Sequence, residues 1–427
     1  MVSTPADRRS PRAWMRIAFA MFAVGWGANQ FSPMLIVYRH ELSLTAGEVA
    51  GLFLVYALTL IPGLLIGGPA SDRLGRRAVV WPFVALSPLA TLLLVLGPRS
   101  LAMIAVGRAL AGLCSGVVFG AATAWVQDVS PDEGPSNGLS VRRSALALTA
   151  GFGLGPVVAA GLAQWASDPL VVPYLPHLVI GTAAAAVLAG TPEGAASRSP
   201  ARVRPMGPVA TARRWPPAAV RTRQFWLAVA PGSPLVFGSV ALAIVVLPEE
   251  VTSARTLSAG FAGVMTVISF AAGVVVQSFA RRLRDMLAGV VAGLVCAAAG
   301  CAVGIAAVAS ADRVLAGVAA VFLGLAYGLC LVSGLRQAEH MASPDERGAV
   351  IACYYAVAYL GFAVPYLAAG LGALAGKIGA FVALTAIIAA LALWTAGYAA
   401  SLRRSSGRPE GDAIVRWSRR NRDSVSR

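Results

Sequence analysis

Apolar runs long enough to cross about 30 Å of hydrocarbon recur along the whole chain, and no other feature limits its fold as severely. They fall at 14–38, 46–68, 78–97, 101–127, 143–165, 171–190, 225–247, 258–279, 286–309, 314–336, 349–372 and 378–401. The chain is 57% hydrophobic and 13% charged, against roughly 25% charged in a soluble domain. A water-soluble core cannot bury so many apolar residues, whereas lipid removes the need. The expected fold class is an all-α membrane protein, with twelve transmembrane helices in two pseudo-symmetric six-helix bundles. The first run follows basic residues, as in a secretory leader, but its length and its Asn29 and Gln30 favour an uncleaved first helix.

The net charge of +16 is carried almost wholly by arginine, since Lys377 is the only lysine. With the N-terminus placed in the cytoplasm, alternate loops and the two ends hold 29 of the 35 basic residues. The outside loops hold Arg39, Arg99, Arg255, Arg313 and Lys377, and Arg108 alone lies within a span. This sorting follows the positive-inside rule and implies cytoplasmic termini. It gives no basic face interleaved with aromatics, so a nucleic-acid partner is not expected. Cys114, Cys296, Cys301, Cys330 and Cys353 lie singly in apolar runs and read as small core hydrophobes, not as disulfides or metal ligands.

The Pro- and Arg-rich stretch 191–224 interrupts the pattern and reads as a cytoplasmic linker. The expected organisation is 1–190 and 225–401 as the two bundles, with 402–427 as a basic cytoplasmic tail. The halves resemble copies of each other. SPDE occurs at 130–133 and 343–346; Gly151-Phe152 precedes Pro156, as Gly361-Phe362 precedes Pro365; and Gly68 with Arg76-Arg77 matches Gly273 with Arg281-Arg282.

The loop after the second span reads Gly68-Pro-Ala-Ser-Asp72-Arg73-Leu-Gly75-Arg76-Arg77. A glycine for close helix approach, an acid ending the span and a glycine turn into two arginines demand more than a generic basic loop. This motif resembles the signature of the major facilitator superfamily, and the resemblance extends over 14–401. It implies that Asp72 docks against the start of the eleventh helix, where the helix dipole favours negative charge, and that Arg76 pairs with Asp128. Together they would latch the cytoplasmic side while the protein faces outward. The second half has Gln277 where Asp72 stands, so its latch should be weaker.

Arg108 is too costly to face lipid and must point into the protein or a cavity. Arg108-Ala-Leu-Ala-Gly112 is similar to the family's helix 4 motif, which implies proton coupling; a structural arginine bonding carbonyls between helices 1 and 4 fits the same placement. Gly151-Phe-Gly-Leu-Gly155-Pro156 resembles part of the motif of drug–proton antiporters, with close packing at the glycines and a bend at the proline. Ala159-Ala160 replaces a glycine pair there. None of the nineteen acids lies near the middle of a span, so an uncharged or anionic substrate is expected, with Arg108 as its counter-charge. The family's cavity helices carry Asn29, Gln30, Tyr56, Gln127, Ser239, Tyr327, Tyr355 and Tyr359 as candidate contacts, although each could equally be interhelical glue. Gln127, beside Asp128, could belong to the latch, and His177 reads as an interface residue with a proton relay as the alternative.

No phosphate-cradling or other catalytic constellation is present in the sequence, so neither an enzyme nor a cofactor is expected. The reading is a proton-coupled exporter of a small molecule in a bacterial cytoplasmic membrane, multi-pass and monomeric. Uptake by symport or facilitated diffusion, or a transporter-like sensor or scaffold, are the alternatives.

Overall fold

The computed structural model describes residues 13–130, 139–193, 216–251, 255–283, 285–343 and 346–406, and every regular element among them is helical. The first SPDE copy beyond Ser130, most of the linker (194–215), Arg284 and the tail from 407 lie outside these residues.

The helices are α1 (Ala13–Asn29, resuming as Phe31–Glu41), α2 (Ala46–Leu74), α3 (Arg76–Leu96), α4 (Leu101–Val129), α5 (Leu139–Trp165) and α6 (Leu175–Ala189). The second half has α7 (Pro234–Ala241 extended by Leu247–Val251, with π turns at Phe225–Val229 and Leu242–Val246), α8 (Arg255–Ala280), α9 (Met286–Ser310) and α10 (Arg313–Met341). α11 begins at Arg347–Tyr359, passes a 3-10 turn at Leu360–Ala363 and runs into the long stretch Val364–Ser406. Gly376, with φ 75° and ψ 170°, divides that stretch into the remainder of α11 and α12. Ten stretches are long and apolar enough to cross a membrane. Division of the last at Gly376, together with the interrupted α1, accounts for twelve spans.

Two boundaries differ from expectation. The first span is not one helix, because Pro33 has no N–H to give the Asn29 carbonyl and its ring crowds that carbonyl; the helix breaks at Gln30. The eleventh and twelfth spans need no intervening loop, since one glycine with positive φ makes the connection.

Glycines set the packing within each half, and they do so twice. A Cβ on Gly112 or Gly116 of α4 would strike the carbonyl of Tyr56 or Leu60 on α2. In the second half a Cβ on Gly324 or Gly328 of α10 would strike the carbonyl of Ser269 or Gly273 on α8. Likewise Gly151 of α5 lies against the Phe22 carbonyl of α1, and Gly361 of α11 against the Pro234 carbonyl of α7. Small residues that bring backbones together are the main source of helix association where lipid removes the hydrophobic drive. Gly68 is not one of them, contrary to expectation: nothing lies within 4 Å of its Cβ position. Gly63 and Gly67 of the same helix make the close approach to α4 instead, because the phase of α2 turns them, and not Gly68, inward.

α1 and α7 are buried along most of their length. Ile66, Leu96, Val179, Val275, Leu393 and Trp394 are exposed, as helices facing hydrocarbon require.

Candidate functional site

The interruption of α1 is fastened to four other helices. Pro156 cannot donate to the Phe152 carbonyl one turn earlier in α5, and Asn29 fills that vacancy, its Nδ2 donating to Phe152 O at 2.8 Å. Ser32 in turn donates to Asn29 Oδ1 (2.8 Å). Gln30 is fully buried and points away from the centre: its Nε2 donates to Thr91 Oγ1 of α3 (3.2 Å), which bonds His177 Nδ1 of α6 (2.7 Å). Arg108 of α4 completes the set, its Nη1 donating to the Ala28 carbonyl at 3.3 Å. Gln30 therefore leaves the list of cavity candidates and joins a polar chain between α1, α3 and α6. Asn29 is occupied by the defect that Pro156 creates, so α5 continues through the proline as helix. His177 packs over Gly27, whose Cβ would overlap its ring.

Arg108 is 1% exposed. Its guanidinium carbon lies over the rings of Phe31 (4.2 Å) and Tyr56 (4.4 Å), contacts that attract a cation by about 0.5–2 kcal/mol each. Gly112, one turn on, serves the contact with α2 described above. Beyond Tyr56 the two halves meet in a cluster of rings. Phe362 of α11 stands 4.7 Å from Phe53, 5.9 Å from Tyr56 and 5.1 Å from Phe237 of α7. Tyr359 stacks on Phe237 at 4.3 Å and 10°, and Tyr355 is 6.5 Å from Tyr359.

The structure thus brings Tyr56, Tyr355, Tyr359 and Arg108 into one region, together with Phe31, Phe53, Phe237 and Phe362. These phenylalanines were not among the candidates, because an apolar ring in a span looks like any core residue; only Phe53 and Phe362 carry a signal, each standing three residues from a candidate tyrosine. Ser239 is buried on α7 outside the ring contacts. Tyr327 turns to Phe270 of α8 (5.7 Å) and covers Gly273. Gln127 is exposed at the arginine-rich end of α4 and takes no part in the cluster.

At the arginine-rich end, Gly75 has φ 102°, a conformation that L side chains rarely adopt, and this turn aims Arg76 across to α4. Arg76 Nε lies 3.0 Å from Asp128 Oδ2, and its Nη1 lies 2.6 Å from Asp72. Asp72 itself is 63% exposed. Its carboxylate pairs with Arg76, within the i,i+4 reach of the two side chains. Arg73 and Arg77 are exposed, and the Arg77 N–H donates to the Glu193 carboxylate at 3.1 Å. The second half uses another device in place of the missing acid: Arg336 of α10 donates to the carbonyls of Ala280, Arg281 and Leu283 at 3.1–3.3 Å. Asp285 caps α9 through the Ala288 N–H and pairs with Arg403. The backbone bond first, and then Arg403, hold its carboxyl below the usual range.

At the opposite end the halves are joined. Arg39 Nε of α1 lies 3.1 Å from Glu249 of α7, while Lys377 lies 2.6 Å from Glu250 within the second half. Gln164 of α5 accepts from the Gly260 N–H of α8 (3.2 Å), and one turn deeper Ala160 touches Gly263. A cleft of about 270 Å³ opens there between α1, α2, α7, α11 and α12, with these four charged residues among its lining.

The family model described as Major Facilitator Superfamily matches residues 17–364. The Quinolone resistance protein NorA of Staphylococcus aureus is 24% identical over 146 residues, 34% of this chain and 37% of that protein. The Bacillibactin exporter of Bacillus subtilis is 29% identical over 145 residues, 33% of this chain and 36% of that protein. The matched stretch thus spans little more than a third of these relatives. Among solved structures, a peptide transporter POT superposes with TM-score 0.76 at 14% identity, over 92% of this chain and 95% of that one. The nucleoside transporter NupG gives 0.70 at 9% identity, over 90% and 99%. At such identities the likeness is one of fold.

Proposed function

The chain belongs to the major facilitator superfamily, and from that premise we propose that it is a secondary transporter exporting a small uncharged or anionic organic molecule in exchange for protons. The observation that carries this reading is the central cluster. Rings from both halves meet beside one buried arginine, Arg108, and the described spans supply no carboxylate to it. A site shared by two rocking halves is what alternating access requires. An exporter of organic cations would need an acid at that place.

The ends of the molecule support the same cycle. In the proposed orientation the arginine-rich loops face the cytoplasm of a bacterial cell and the protein acts as a monomer in the cytoplasmic membrane. The joined end is then external, closed by Arg39–Glu249 and Gln164–Gly260, while Asp72 is exposed. Docking of Asp72 onto α11 would follow when the cytoplasmic side closes, with Gly68, Gly75 and the Arg76–Asp128 pair carrying the moving loop. The names of the two sequence relatives, a quinolone resistance protein and a bacillibactin exporter, favour export over uptake. Arg108 is the proposed coupling residue because it is the charge within the cluster; its guanidinium keeps its own proton, so it would act through its field on a protonatable substrate and not by exchanging a proton itself.

Purified protein in proteoliposomes tests the reading, with compounds first selected by ligand-induced thermal shift. A pH gradient imposed across the vesicles should drive accumulation of the selected compound, and a protonophore should abolish it. A rate indifferent to the gradient would mean facilitated diffusion; accumulation with the proton, not against it, would mean symport.

A further inference from the structure

Arg108 holds its charge almost wholly out of solvent. Its Nη1 has a partner in the Ala28 carbonyl, whereas Nε and Nη2 have none. These two atoms lie on one edge of the planar guanidinium, the edge whose parallel N–H bonds fit the two oxygens of a carboxylate. The rings of Phe31 and Tyr56 lie 4.2 and 4.4 Å from the guanidinium carbon, and neither gives those two atoms an acceptor. A buried cation with an open bidentate edge loses its hydration and receives little in return. Such an arrangement is stable in use when an anion arrives to complete it.

The surroundings of that edge define the remainder of the ligand. Tyr56, in contact with the guanidinium, meets Phe362 at 5.9 Å, and Phe362 adjoins the stacked pair of Phe237 and Tyr359. Flat aromatic surface from the second half thus begins one ring away from the free donors. Rings packed against one another in this state can admit another ring when the halves move, with loss of one stacking contact and formation of two.

We infer that the free edge of Arg108 and the rings of Tyr56, Phe362, Tyr359 and Phe237 form a binding site for a planar aromatic carboxylate. The carboxylate takes Nε–H and Nη2–H, and the ring system lies among the aromatic side chains. This deepens the transport reading above and rests on it only in that the bound compound is then carried.

The test uses the full chain, purified in detergent, and three probes of one shape: naphthoate, naphthalene methanol and naphthylmethylammonium, titrated by calorimetry. Naphthoate should bind about tenfold or more tightly than the alcohol, the increment expected of a charge-assisted bidentate bond, and the ammonium compound weakest. Arg108→Gln should reduce naphthoate to the affinity of the alcohol. Phe237→Ala should weaken naphthoate and alcohol alike while the preference between them persists. If Arg108→Gln does not fold, the ranking in the unaltered protein and the Phe237→Ala pattern still decide. Equal binding of the three probes, a preference that survives Arg108→Gln, or no binding by any probe overturns the site. Flux is measured separately: naphthoate bound but not moved in proteoliposomes would defeat the transport reading and leave the site standing.

Discussion

At the scale of single residues, Asn29 and Pro156 form one unit although 123 residues separate the bonded positions Asn29 and Phe152. The amide supplies the donor that the proline lacks. Asn29→Ala should leave the Phe152 carbonyl unsatisfied and cost about 1–3 kcal/mol. Combined with Pro156→Ala, which restores the missing N–H, most of that loss should return. Thermal unfolding of the two single variants and the double variant gives the coupling; simple additivity would refute the pairing. The sequence shows both residues in apolar spans but not their link, because a polar residue in a span reveals that it needs a partner without revealing which helix provides it. The same gap explains Gln30, taken as a cavity residue from its central helix and found turned to Thr91. Arg108 was more legible, since the cost of a charge in lipid leaves it only the interior, and its structural reading placed it against α1.

At the scale of elements, the limits of long spans were legible wherever a cap or turn residue closes them. The expected 286–309 and 101–127 correspond to Met286–Ser310 and Leu101–Val129, with Asp285 and Ser100 as N-caps. The second span runs on from 68 to Leu74, because a helix can leave hydrocarbon without ending. The break at Gln30 escaped notice because Pro33 acts on the Asn29 carbonyl, four residues before its own place. Asp285 also yields a pH prediction. Its folded pKa is depressed, so its contribution is present above the ordinary carboxylate range and is lost as pH falls through the lower folded value. Asp285→Asn keeps a capping side chain but removes the charge opposite Arg403. The variant should be less thermostable than the unaltered protein at neutral pH, by a margin that shrinks to nothing in acid. An unchanged margin at low pH would show that the charge is immaterial.

For the whole molecule, twelve spans in two related halves could be read from apolar length, arginine sorting and repeated landmarks, and the paired glycine contacts give that repeat a physical form. How the halves meet could not be read. Arg39 and Glu249 are far apart in the chain, carry no motif, and become partners only when the bundles tilt together.

The glycine contacts between α2 and α4, and between α8 and α10, also divide the protein into what can and what cannot give way. Backbones that touch through hydrogen atoms alone have no slack, so each bundle must travel as a block. Ala160 and Gly263 mark a seam between the blocks, near enough for a covalent staple. In a background without other cysteines, Ala160→Cys with Gly263→Cys should halt transport on oxidation and release it on reduction. A staple between Gly232 and Val290, both within the second half and 3.9 Å apart at Cβ, would join surfaces that never part, and the transporter should run as though it were absent.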